Sequence, residues 1–142
     1  MTKRLRWDKL DILYFAGYAL WNDLSFPFIL DLAGLAVTEQ APLIEHSSHR
    51  LVASFDPSIP THSATQSFHI NASRQLVQHD YTADVIGSWA HVANCCLASE
   101  QVDGFRFYTR RKVYPRVGQQ TVMPFATLVR IELDDINLRM AP

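Results

Sequence analysis

The sequence predicts an α+β fold in which a curved antiparallel β-sheet of six to seven strands, a half-barrel or open barrel, wraps around an N-terminal helix. Three observations predict it. Apolar residues near the N-terminus repeat with helical spacing, from Val37 onward they alternate with a period of two, and turn residues separate the alternating stretches. With 142 residues the chain is long enough to bury a core, and we expect a single domain over 1–142.

The helix is expected over residues 8–24. Its apolar positions follow i, i+3, i+4, i+7 spacing, and they are Leu10, Leu13, Tyr14, Gly17, Leu20, Trp21 and Leu24. Asp8 stands at the start as a capping residue, and Pro27 ends the helix because proline cannot continue the hydrogen-bond ladder.

Alternating stretches predict the strands, at 49–55, 64–70, 75–85, 88–98, 105–113 and 125–133. Turn signals fall between them, at Asp56-Pro57, Asn71-Ala72-Ser73, Gly87-Ser88, Asp103-Gly104 and Gly118. Short, evenly spaced strands of this kind indicate an antiparallel meander.

Charge and motif content exclude several classes of protein. A net charge of -1 argues against broad binding to nucleic acid, and no apolar run is long enough to span a membrane. No secretory signal is visible, so we expect a cytoplasmic protein, which two unpaired cysteines also fit. Metal-ligand spacings, phosphate-binding loops and nucleophile motifs are missing from the sequence, so we expect no metal and no cofactor.

Two histidine-containing stretches are the first candidates for chemistry. His79 and Tyr81 share a strand face, and so do Trp89 and His91 on the next strand, with a short turn at Gly87 between them. If both faces turn inward, His79 or His91 can act as a general acid or base and Tyr81 as a proton donor, with Trp89 against the substrate. His62 and His69 add candidates, although a lone histidine among apolar neighbours is more often a core residue.

A basic strand is the second candidate. Alternation places six residues on one face of residues 105–116, and they are Arg106, Tyr108, Arg110, Lys112, Tyr114 and Arg116. Arginines interleaved with tyrosines can hold a carboxylate or an oxyanion, but the same pattern describes a solvated sheet face paired with Glu132 and Asp134. The helix aromatics Tyr14, Tyr18 and Trp21 are either core or the roof of a ligand pocket.

The stretches WDKLDILYFAGYALWNDLSFPFIL, PTHSATQSFHI, HDY and TRRKVYPR resemble a poorly characterised bacterial family, over most of the chain from Trp7 to about Leu138. Asp23 departs from the tyrosine of the family pattern, and Asn71-Ala72-Ser73-Arg74 replaces its DxxG turn. The family is similar to the lipoprotein-carrier type of fold, a half-barrel around a helix with an apolar cavity. That fold type includes lipid carriers and a cofactor-free enzyme of violacein biosynthesis, so the resemblance implies a ligand cavity but does not choose between transport and catalysis.

Three functions fit these patterns. The first is a cofactor-independent isomerase, cyclase or lyase acting on a hydrophobic small molecule, with an arginine of the basic strand holding an oxyanion. The second is a non-catalytic carrier or sensor of an apolar ligand. The third is an interaction module whose basic strand pairs with a partner. A homodimer is compatible with each.

Overall fold

The structure is a computed structural model that describes residues 6–31, 35–118 and 121–142. The chain divides into two compact units, Met1–Leu32 and Ala33–Pro142. The first contains the helix and the second contains the sheet, which confirms the α+β class.

The single α-helix of the described residues, α1, spans Lys9–Ser25, one residue from the predicted bounds at each end. Asp8 caps it: its carboxylate accepts from the backbone N–H groups of Leu10 and Asp11, while the Asp11 carboxylate accepts from the Asp8 N–H. This capping box satisfies donors that the first helical turn leaves open. The helix ends at Phe26, whose extended backbone leads into a cis peptide bond to Pro27 and a 3₁₀ turn at Phe28–Asp31.

The sheet contains eight strands among the described residues. They are β1 (Ala36–Gln40), β2 (His49–Ser54), β3 (Thr65–Ile70), β4 (Leu76–Thr82), β5 (His91–Val102), β6 (Phe105–Val117), β7 (Thr121–Val122) and β8 (Val129–Glu132). Every pair is antiparallel, the order follows the chain from β1 to β7, and β8 also pairs with β6. The sheet curls into a half-barrel, as expected. Six to seven strands were predicted. Seven of the observed strands have four or more residues, and the eighth, β7, has two residues.

The β5–β6 hairpin shows why the turn signals were reliable. Val102 and Phe105 pair directly, so the connection has two residues, and both adopt positive φ: 49° at Asp103 and 84° at Gly104. A two-residue hairpin of this type needs left-handed backbone at both positions, which Asp-Gly tolerates best.

Strand β4 lies in the middle of the sheet and has no solvent-facing side. Five of its seven residues are buried, on both faces, and four of those five are polar or carry a hydroxyl. Most strands of an antiparallel sheet expose one face to water. The polar groups of β4 must therefore find partners within the protein, and these partners form the candidate site.

Candidate functional site

One face of the sheet, which we call the dyad face, carries a buried histidine–carboxylate pair. His69 of β3 and Asp80 of β4 are 0% and 4% exposed, and His69 Nε2 lies 2.8 Å from Asp80 Oδ2. The second carboxylate oxygen accepts from Gln78 Nε2 at 2.8 Å and lies 4.0 Å from Arg116 Nε. Both oxygens of Asp80 are thus held, and a guanidinium of β6 stands beside them.

Hydrogen bonding assigns the tautomer of His69. The Asp80 carboxylate can only accept, so Nε2 of the imidazole must carry the hydrogen. The lone pair of the neutral ring is then on Nδ1. That atom is buried and has no hydrogen-bond partner among the described residues. A buried polar atom without a partner is uncommon in proteins and needs an explanation.

The opposite face carries an aromatic cluster formed by Phe68, His79, Tyr81 and His62. The His79 ring stacks on Phe68 with centroids 4.3 Å apart and lies 4.8 Å from Tyr81. Tyr81 in turn stacks nearly parallel on His62, at 3.8 Å. All four side chains are buried, so this face is the packed side of β3 and β4.

A glutamine orients His79 within the aromatic cluster. The Gln66 amide nitrogen donates to Thr61 Oγ1 (2.6 Å) and to the Ser63 carbonyl (2.9 Å), so its oxygen is the atom that faces His79. His79 Nε2 lies 2.6 Å from that oxygen and must donate to it. The ring is therefore held as a neutral imidazole with the lone pair on Nδ1.

Burial keeps two of the histidines neutral. Desolvation lowers the pKa of His62 to about 3, and it lowers the pKa of His79 well below its usual value. His62, the guanidinium of Arg111 and His69 add smaller electrostatic contributions that lower the pKa of His79 further. A histidine with so low a pKa is a weak base near neutral pH, so His79 is poorly suited to accept a proton.

Cys95 lies on the dyad face but is not a nucleophile. It pairs with Gln78 across the strands, and burial, with a smaller effect of Asp80, raises the pKa of its thiol to about 11. The thiolate is the reactive form, so this cysteine stays protonated and inert. Within residues 6–31, 35–118 and 121–142, no group of three or more His, Cys, Asp or Glu side chains is placed to hold a metal ion.

The expectation that His79 and His91 look into one cavity is wrong. Thr82 pairs with His91 across β4 and β5, so His91 shares a face with Thr82 and Asp80 rather than with His79. His91 is exposed, with its Nδ1 2.8 Å from Thr82 Oγ1, and Trp89 is 71% exposed in the preceding turn. Paired residues on neighbouring strands lie on the same face, and side chains alternate along each strand. The pairing of His91 with the even-numbered Thr82 therefore places His91 on the face opposite His79 and Tyr81.

The basic strand does not present one continuous face. The β5–β6 register shifts between Cys96 and Ala98 and again between Ala98 and Glu100, and such bulges interrupt the alternation. Tyr108 is buried and packs against Arg111, which simple alternation places on the other face, with the Arg111 Cζ 5.4 Å from the Tyr108 ring centroid. The Tyr108 hydroxyl accepts the Leu76 backbone N–H at 2.7 Å.

The arginines of the basic strand lie in different surroundings. Arg110 is exposed beside Glu132 of β8, and Arg106 donates to Ser99 Oγ at 2.8 Å. Arg116, at the far end of β6, is the member of the set that stands beside the buried Asp80. Of the helix aromatics, Tyr14 and Trp21 are 60% and 43% exposed, and Tyr14 stacks on Tyr18 with ring centroids 6.3 Å apart.

Comparison with protein-family models, with curated proteins and with solved structures finds no match for this chain. The likeness to the lipoprotein-carrier type of fold is supported at the level of a curled antiparallel half-barrel.

Sequence reasoning named His69 as a secondary candidate for substrate contact, after His79 and His91, and did not identify Asp80 as its partner. Alternation along the strand places Asp80 on the face opposite His79 and Tyr81, toward water or the basic strand. The residue is buried, and one of its oxygens lies near Arg116 of that strand. The buried Arg111 was missed as well. No signal in the sequence set Asp80 apart, because LVQHDYT mixes polar and apolar residues as a half-exposed strand does.

Proposed function

We propose that the protein is a cofactor-independent enzyme that moves a proton on a hydrophobic small molecule, with the His69–Asp80 pair as its acid and base. The observation that carries the proposal is the state of His69. Its Nε2 donates to a carboxylate, while the Nδ1 lone pair is buried without a hydrogen-bond partner among the described residues. A carboxylate that fixes the tautomer of an imidazole and stabilises its protonated form is a recurrent arrangement in acid–base catalysis.

The proposed step uses side chains alone. His69 Nδ1 takes a proton from an acidic C–H or O–H of the substrate, and Asp80 stabilises the imidazolium that results. The electron pair left on the substrate moves to an oxygen. The guanidinium of Arg116, whose Nε lies 4.0 Å from Asp80 Oδ1, is proposed to stabilise that oxygen. Return of the proton from Nδ1 to another atom completes an isomerisation or a cyclisation.

The aromatic cluster has a separate role in this proposal. His79 and Tyr81 pack the opposite face of β4, so they hold the strand that carries Asp80 in place. His91 lies on the dyad face, because it pairs with Thr82. His91 and Trp89, which is exposed in the preceding turn, are proposed to contact the substrate as it arrives. The protein is proposed to act in the cytoplasm, without a metal or a cofactor.

The test uses 5-nitrobenzisoxazole, an apolar compound whose ring opens when a base removes its single acidic C–H proton. We expect wild-type protein to accelerate ring opening beyond free imidazole at the same concentration. His69→Gln and Asp80→Asn are each expected to lower the rate at least roughly tenfold, since general acid–base catalysis contributes about 10²–10⁴-fold. His46→Gln, which changes an exposed histidine, is the matched control.

Ring opening that is unchanged in both dyad variants contradicts the proposed acid–base role. Saturable binding of the probe without turnover would instead favour the carrier of an apolar ligand.

A further inference from the structure

Gln78 stands directly beside His69 in the sheet, whereas Asp80 does not. His69 pairs with Gln78 across β3 and β4, and the residue that pairs with Asp80 is Ser67. The contact of 2.8 Å between His69 Nε2 and Asp80 Oδ2 is therefore a diagonal one. Diagonal neighbours of an antiparallel pair are about 7–8 Å apart, so the carboxylate must be turned toward His69 to reach it.

The amide of Gln78 holds the carboxylate in that orientation. Its Nε2 donates to Asp80 Oδ1 at 2.8 Å, which leaves Oδ2 for His69. The Nε of Arg116 is 4.0 Å from Oδ1, which is too long for a hydrogen bond. Gln78 itself is buried, with an exposure of 8%. Rotation of the carboxylate away from His69 would break a buried bond to a charged group, so the amide opposes that rotation.

Cys95 fixes the orientation of the Gln78 amide. The two residues pair across β4 and β5, and Cys95 Sγ lies 3.8 Å from Gln78 Oε1. Burial raises the pKa of the thiol to about 11, so it remains protonated and can donate to that oxygen. On the other side, the Asp80 carboxylate can only accept, so the amide nitrogen must face it. Both neighbours thus require the same orientation of the amide.

We propose that Gln78 is a positioning residue, which turns the Asp80 carboxylate toward His69 and thereby keeps the hydrogen of the imidazole on Nε2. Its consequence for catalysis rests on the proposed function, because Nδ1 can accept a proton only while the hydrogen stays on Nε2. Without the amide, the carboxylate can turn toward Ser67, its direct neighbour across the strands. The hydrogen on Nε2 can be observed without any substrate.

The experiment is proton–nitrogen NMR of the imidazole groups in the isotope-labelled full chain, with His69→Gln to assign the His69 signal. In wild type we expect an Nε2–H resonance that its carboxylate acceptor displaces downfield. Gln78→Met keeps the length of the side chain but has no donor, so the resonance should broaden or vanish as the hydrogen exchanges with water. Gln101→Met, at an exposed position of β5, is the matched control and should keep the resonance.

A role of Gln78 in packing alone would lower the free energy of unfolding but leave the His69 resonance of the folded protein unchanged. That outcome in Gln78→Met overturns the proposal. Should Gln78→Met not fold, two variants of Cys95 decide. Cys95→Ala removes the donor to the amide and should broaden the resonance, while Cys95→Ser keeps a donor and should preserve it. A resonance in Cys95→Ala as sharp as in wild type then overturns the proposal.

Ring opening of 5-nitrobenzisoxazole on the same samples separates this proposal from the proposed function. Gln78→Met is expected to lower the rate roughly tenfold, the effect of losing one hydrogen bond to a charged group. If wild type does not open the ring, the proposed function fails, and the resonance still tests Gln78. If ring opening depends on His69 while the resonance is unchanged in Gln78→Met, the positioning role alone fails.

Discussion

His69 Nε2 and Asp80 Oδ2 are 2.8 Å apart on adjacent strands, and both side chains are buried. A buried charge is costly unless it is paired and hydrogen-bonded, and Asp80 accepts bonds at both of its oxygens. Removing one member of the pair would leave the other buried without its partner, so the pair stabilises the fold. It also carries the proposed chemistry.

Replacement of Asp80 is expected to destabilise the protein. Asp80→Ala removes the acceptor of His69 and Gln78 and leaves both groups buried, so we expect the free energy of unfolding to fall by about 3 kcal/mol. Urea unfolding measures the change. Asp84→Ala is the control, because Asp84 is exposed just beyond the same strand, and it should cost less than about 0.5 kcal/mol. Equal effects of the two substitutions would contradict the buried pair.

Acid is expected to destabilise the fold through the histidines of the aromatic cluster. Burial lowers the pKa of His62 to about 3 from a value near 6.5 in the unfolded chain, and the pKa of His79 is lowered too. Below pH 6.5 the unfolded state therefore binds more protons than the folded state. The contribution of these neutral histidines to the free energy of unfolding is fully present above pH 6.5. It is lost as the pH decreases toward 3, by up to about 1.4 kcal/mol per pH unit for each histidine.

The measurement is urea unfolding of wild type and His62→Phe between pH 7.5 and 4.5, a window above the titration of most carboxylates. Phenylalanine keeps a ring against Tyr81 but cannot titrate, so the slope should decrease by about 1.4 kcal/mol per pH unit. His46→Gln, at an exposed position, should keep the wild-type slope. A wild-type slope in His62→Phe would show that this histidine does not titrate on unfolding.

Tyr108 is expected to be a structural residue rather than a ligand contact. Its hydroxyl accepts the Leu76 N–H at 2.7 Å, so Tyr108→Phe leaves a buried backbone donor without this partner. The expected loss is about 1–3 kcal/mol in the free energy of unfolding. Tyr14→Phe, on the exposed side of α1, should be nearly neutral. If the Tyr108 variant were as stable as wild type but deficient in turnover of the probe, the hydroxyl would belong to the site.

The type and order of the elements could be read from the sequence because they depend on local pattern. Helical spacing around Leu13 and Trp21 predicted α1 to within one residue at each end, and Asp103-Gly104 predicted its hairpin turn from backbone preference alone. Proline at position 27 marked the end of the helix for a steric reason that no tertiary contact alters.

The composition of the candidate site was decided only by the tertiary structure. The face on which His91 lies depends on whether it pairs with Thr82 or with a neighbour, and a difference of one residue in the turn reverses it. The bulges in β5–β6 bring Tyr108 and Arg111 together against the simple alternation. Asp80 occupies a position that reads as solvent-facing along its own strand, and it is buried because β4 lies between other strands and is covered on both faces. Alternation along one strand carries no information about which faces the remainder of the chain will cover. The buried His69–Asp80 pair therefore appears only when the register of β3 against β4 and the cover over β4 are known.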